Sequence, residues 1–184
     1  MTCGDGHAEG RARERYAYTA CYCEENIWHL ARQRMGERSD RGAVVMISNP
    51  ARRVALAAQR SGHGELRLTV WDYHVVYVEA GEVYDLDSTL APPAQVRAYV
   101  AATFPAVHAV PGRPYRPVFS VLSAESYLEV FSSNREHMRD ADGRYLSPPP
   151  PWPPIYRPER GNTLFALVDG KHEAVSYVGS RFPG

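Results

Sequence analysis

Apolar and polar positions change period several times along the chain, and each change marks an element. Between Glu24 and Gly36, Ile27, Leu30, Ala31 and the Arg34–Met35 pair recur at helical spacing, which predicts a helix that begins at or just after Cys23 and ends at Gly36. Val44 to Ser48 is an apolar run between Gly42 and the Asn49-Pro50 breaker, the pattern of a buried strand. Leu66 to Ala80 alternates for most of its length, Gly81 interrupts, and Val83 to Leu86 resumes, so a hairpin is expected. Pro92 and Pro93 open a predicted helix through Val96, Tyr99, Val100 and Phe104 that Pro105 ends. Arg113 to Pro117 reads as a loop, Val118 to Leu122 as a strand, and Ser123 to Met138 as a helix capped by Ser123 or Ser126, with a turn at Asp140 to Gly143. Ser147 to Pro158, with Pro148 to Pro151 consecutive, is expected to lie extended on the surface. Strands at Leu164 to Val168 and Ala174 to Val178 would flank Asp169-Gly170 as a last hairpin.

Alternating βαβ units are absent from this order. It predicts an α+β fold in which an early helix packs on a mostly antiparallel sheet. Residues 1–15 carry no apolar period and read as a mobile arm that includes Cys3, leaving residues 16–184 as one domain.

Composition narrows the classes of function. A chain of 184 residues with 44% hydrophobic and 23% charged residues is long enough to bury a core, which argues against disorder. Lys+Arg and Asp+Glu both number 21, so the formal charge of +0 supplies no field to gather nucleic acid or anionic lipid. No apolar run reaches the roughly 20 residues of a membrane span, and Met1 to Arg15 is polar where a signal peptide needs an apolar stretch. The expectation is a cytoplasmic monomer that binds neither nucleic acid nor membrane. Three cysteines, Cys3, Cys21 and Cys23, leave one unpaired in any disulfide scheme, so reduced thiols are the default.

Candidate chemistry begins at Cys23, just ahead of Glu24-Glu25-Asn26-Ile27-Trp28. That position puts a thiol at a helix start, where unpaired N–H groups and the helix dipole favour its anion. Packing beneath the helix is the plainer role for the same residue, and Glu24 and Glu25 are ordinary first-turn acids. His74 stands within Trp71-Asp72-Tyr73-His74-Val75-Val76, in the long predicted strand. If the hairpin reverses at Ala80-Gly81, Val78 opposes Val83, and Asp85 and Asp87 both project from the face that carries His74. Either could hold the imidazole. A reversal displaced by one residue would turn both away, so the register is itself a prediction. Cysteine at a helix start, histidine on a strand and acid on the next strand is the layout of papain-like thiol enzymes. In that layout a thiolate attacks a carbonyl carbon, an imidazole moves the proton, and an acid fixes the imidazole.

The segments Tyr18-Thr19-Ala20-Cys21-Tyr22-Cys23-Glu24-Glu25-Asn26-Ile27-Trp28, Trp71 to Val76 and Tyr84-Asp85-Leu86-Asp87 resemble the hallmark segments of the protein N-terminal glutamine amidohydrolase family. Ile47-Ser48-Asn49, Ser126-Tyr127-Leu128, His137-Met138 and Pro148 to Pro151 ahead of Trp152-Pro153 extend the resemblance over roughly residues 16 to 156. It implies a cofactor-free, metal-free cysteine deamidase that converts an amino-terminal glutamine of a protein or peptide to glutamate and ammonia through a thioester, with Cys23, His74 and Asp85 as its triad. In such families the new glutamate can become a degradation signal, part of an N-degron pathway, once another amino acid is conjugated to it. A free α-ammonium on the substrate calls for an acid, and Asp87, Glu24 and Asp72 are candidates; Trp71 and Tyr73 could shape the pocket.

Three rival readings share these residues. Cys21, Cys23, His29 and His74 could be metal ligands, though their spacing lacks a second cysteine pair. Pro148 to Pro154 could dock to a partner's aromatic groove, against the simpler role of a rigid covering loop. The triad would also serve another papain-like cysteine hydrolase or a transglutaminase-type acyltransferase.

Overall fold

The computed structural model describes residues 15–37, 42–104 and 115–180. Most of the predicted arm therefore lies outside the described residues. Helix α1 spans Cys23–Glu37 and packs by Ile27, Leu30 and Ala31, the positions picked out by their spacing. Strands β1 (Ala43–Ser48), β4 (His74–Glu79), β5 (Glu82–Tyr84), β6 (Ala94–Gln95), β7 (Val118–Ser123) and β8 (Tyr177–Gly179) form one sheet ordered β6-β5-β4-β1-β7-β8, every neighbour antiparallel. β1 is central, and its continuous apolar run follows from burial on both faces. Val44 and Met46 pack on the α1 side, whereas Val45 and Ile47 pack opposite with Val76, Tyr99 and Phe119. The fold is α+β with an early helix against an antiparallel sheet.

Several expected elements take a different form. The long strand from Leu66 divides into β3 (Thr69–Trp71) and β4, because Asp72 is exposed and its Oδ1 accepts the Tyr73 N–H at 2.9 Å, which breaks the extended run. β3 pairs instead with β2 (Val54–Leu56) in a separate ribbon. Helix α2 is Val96–Thr103; it starts after the prolines because Ala94 and Gln95 are held extended against Val83 and Glu82. The next helix, α3, covers only Ala124–Val130. Beyond it Phe131 turns extended, Ser132 and Ser133 bond to Thr163 and Ile155, and a 3₁₀ turn at Glu136–Met138 follows. Leu164–Val168 is a short helix, α4, not a strand: Leu164, Leu167 and Val168 are buried while Phe165 is exposed, which is helical spacing in a run too short to show it. The last hairpin is thus absent, and β8 pairs with β7.

The β4–β5 reversal is as expected. Val78 faces Val83 across a turn whose two residues, Ala80 and Gly81, both take positive φ (50° and 80°), the geometry of a two-residue hairpin.

Candidate active site

The turn before α1 sets the thiol. Asn26 Oδ1 accepts the Thr19 N–H at 2.9 Å and its Nδ2 donates to the Thr19 carbonyl at 2.8 Å, tying the loop to the helix. Cys23 is the first residue of α1, where backbone N–H groups have no acceptor inside the helix. Its sulfur accepts the backbone N–H of Val75 and lies 3.7 Å from Glu24 Oε2. Cys23 is the free cysteine among the described residues; Cys21 is disulfide-bonded, which corrects the expectation of reduced thiols throughout. Burial pushes the Cys23 thiol well above its ordinary range, the nearby Glu24, Asp87 and Asp72 push it further, and the Val75 N–H opposes them. The advantage expected of the helix start is outweighed. At rest this group is a neutral thiol.

His74 begins β4, and the β4–β5 ladder runs from Glu79↔Glu82 to Tyr77↔Tyr84 and stops short of it. Where the ladder ends, Asp85 turns its Oδ1 to His74 Nε2 at 2.9 Å. The carboxylate is saturated, since Oδ1 also accepts the Asp87 N–H at 2.9 Å and Oδ2 accepts the Tyr99 hydroxyl at 2.8 Å and Gln59 Nε2 at 3.3 Å. Trp71 stacks on the imidazole at 5.1 Å and donates its indole N–H to Gln59 Oε1 at 3.1 Å, so Gln59 links the stacking ring to the acid. Burial disfavours the imidazolium, but the charge and hydrogen bond of Asp85 prevail and raise His74. Burial likewise works against the Asp85 anion, and His74 and Tyr99 hold it below the usual carboxylate range. The other ring nitrogen, Nδ1, is buried and has no hydrogen-bond partner.

The remaining acids occupy distinct settings. Asp87 is buried, accepts the Tyr18 hydroxyl at 2.7 Å, and is raised by burial despite the opposing charge of His74. Glu25 is fully buried and saturated by Arg135 Nε (2.7 Å), Arg135 Nη2 (2.6 Å) and the Trp152 indole (2.7 Å). Glu24, also fully buried, has His137 Nε2 at 3.3 Å from Oε1, and the Tyr73 hydroxyl lies 3.1 Å from that same nitrogen.

Residues 18–182 match the family model described as N-terminal glutamine amidase. Proteins named protein N-terminal glutamine amidohydrolase from Drosophila mojavensis, Drosophila ananassae and Drosophila willistoni are each 40% identical over 147 residues, 76% of this chain and 71% of the relative. The chain belongs to the N-terminal glutamine amidase family. The family match runs well past Tyr156, where the resemblance visible in the sequence stops.

Within this amidase fold the residues singled out in the sequence do not all converge. His74 and Asp85 are in contact, and Cys23 is bonded to the residue after His74. Trp71 packs on the imidazole, Tyr73 reaches His137, and Asp72 is exposed. The metal-ligand reading keeps only His74 of its four members. His29 packs its ring edge-on to Trp28 and Trp152, and the group of three or more acid, histidine and cysteine side chains within ligand reach among the described residues is His74, Asp85 and Asp87, not one containing Cys21 or His29. Asp85 Oδ1 and His74 Nε2 in that group already bond each other. The proline segment is pinned by buried Pro150, the Trp152 indole and the Arg135 bond to the Trp152 carbonyl. Gln59 went unmarked in the sequence, and Tyr18 and Tyr99 showed there only as part of a family segment and of a helix period, because each reaches its acid only through tertiary contact. No helix among the described residues is long and apolar enough to cross a membrane.

Proposed function

We propose that the chain hydrolyses the side-chain amide of an amino-terminal glutamine to glutamate and ammonia, with Cys23 as nucleophile, His74 as general acid and base, and Asp85 as its orienting acid. The observation that carries this reading is the buried His74–Asp85 pair at the open end of the β4–β5 ladder, with the next residue's N–H held by a sulfur at a helix start. Family membership supports the substrate, because the curated relatives bear the name of that activity. Cysteine on the first helix, histidine on a strand and acid beyond the next strand is also the papain-like order.

In this scheme the unpartnered Nδ1 of His74 takes the thiol proton as Cys23 adds to the amide carbon. His74 returns the proton to the departing ammonia, and water activated by the same ring hydrolyses the thioester. Asp85 stays ionised and fixes the ring. The α1 N–H of Cys23 is the natural first donor to the oxyanion. Asp72 and Asp87 add negative charge around the thiol, which suits a substrate bearing a free α-ammonium.

Purified protein should release ammonia from a peptide beginning with glutamine and leave the peptide bond intact. Cys23→Ala is expected to abolish the release, and acetylating the substrate's amino group to suppress it strongly. A Cys23→Ala variant with undiminished turnover would refute the scheme, and cleavage or cross-linking of the peptide would indicate a protease or acyltransferase instead.

A further inference from the structure

Two adjacent glutamates at the start of α1 are both fully buried, and they differ in how they are satisfied. Glu25 has three short hydrogen bonds from strong donors, the mark of an acid that serves the fold. Glu24 has nothing comparable. Its Oε1 is buried and makes no hydrogen bond, with His137 Nε2 3.3 Å away, while the Tyr73 hydroxyl is within bonding reach of the carboxylate and the weakly donating thiol of Cys23 lies 3.7 Å from Oε2. A carboxylate fully removed from water and left undersatisfied is costly. An acceptor in that condition beside the candidate nucleophile has the form of a group awaiting a donor.

The chemistry of the substrate says which donor. Once sulfur adds to the side-chain carbon of glutamine, that carbon carries an oxygen and a nitrogen. The oxygen becomes an anion and needs donors, whereas the nitrogen carries hydrogens and needs an acceptor. Glu24 can only accept while ionised. The α-ammonium lies several bonds further along the substrate, so an acid this close to the sulfur is placed for the amide nitrogen.

Building on the proposed deamidation, we propose that Glu24 is the residue that reads the carboxamide: its carboxylate accepts the N–H of the side-chain amide and repels the carboxylate of the glutamate product. The same contact accounts for direction. As the carbon–nitrogen bond breaks, ammonia leaves with the proton returned by His74, water supplies the oxygen of the product, and a carboxylate then stands beside Glu24 where a donor stood. Binding of the product is disfavoured by like charge, and the site clears. The Tyr73 hydroxyl and His137, on separate elements, flank Glu24 and position it.

Direct binding to full-length Cys23→Ala, which cannot form the thioester, tests the assignment without turnover. By calorimetry, a peptide starting with glutamine is expected to bind at least about tenfold more tightly than the same peptide starting with glutamate. Adding Glu24→Gln should remove most of that preference by tightening the glutamate peptide, an increase in affinity that a merely structural role would not produce. In the active enzyme, Glu24→Gln should lower kcat/KM for the glutamine peptide and lower the inhibition constant of the glutamate peptide. Equal binding of the two peptides to Cys23→Ala overturns the proposal even if the Glu24 variant fails to fold. A preference that survives Glu24→Gln overturns it equally. If wild type releases no ammonia from the glutamine peptide, the deamidase reading itself falls; turnover without the glutamine preference removes only the role of Glu24.

Discussion

At the scale of single residues, the site contrasts acids of one type in different environments. Asp85 is surrounded by four donors, whereas Oε1 of Glu24 makes no hydrogen bond, although both acids are buried. This contrast has a consequence for pH. Asp85 raises His74, so the imidazole becomes neutral, and able to take a proton from the thiol, only above its ordinary range. The acid limb of kcat/KM should therefore lie above about pH 6.5, the usual histidine value. Asp85→Asn removes the anion and leaves burial, which lowers His74, so the limb should move to lower pH while the rate falls. An unmoved limb in the pH profile would show that another group controls it. The linkage to stability has two signs. The raised His74 contributes stability at low pH that is lost as pH rises through its folded value, and the depressed Asp85 contributes stability above its unfolded value that is lost as pH falls through its folded one.

At the scale of elements, legibility followed the length of the pattern. Helix α1 and strand β1 carry long, clean periods and stand where those periods place them. The β4–β5 register was readable because Ala80-Gly81 supports a two-residue turn, yet the pleat alone left Asp85 and Asp87 equivalent. What separates them is the end of the ladder, a tertiary event in which the chain leaves the sheet after Tyr84 and Asp85 is captured by Tyr99 and Gln59. The run Leu164–Val168 misled because five apolar residues fit either period. Of the two serines proposed as caps, Ser123 is the cap: its hydroxyl accepts the Ser126 N–H at 3.1 Å. Ser123→Ala should therefore cost about 1 kcal/mol in urea unfolding, and Ser126→Ala much less.

At the scale of the whole molecule, the sheet has a hydrophobic cluster on each face, one built on α1, α3 and α4 and the other on α2 and the β2–β3 ribbon. Glu25 joins α1 to Arg135, just ahead of the 3₁₀ turn, and to the proline segment through Trp152, so one buried ion pair connects three distant parts of the chain. Glu25→Gln leaves the buried Arg135 unpaired and should cost about 3–5 kcal/mol, read as a fall in the unfolding midpoint. A loss below about 1 kcal/mol would mean that the pair is dispensable to the fold. The enclosure of Cys23 also bears on how the protein ages. A cysteine only 5% exposed and protonated at neutral pH offers little thiolate to peroxide or to electrophiles. Bulky maleimides should label Cys23 slowly in the folded state and readily after denaturation. The burial that withholds its reactivity also protects it from corrosion between encounters.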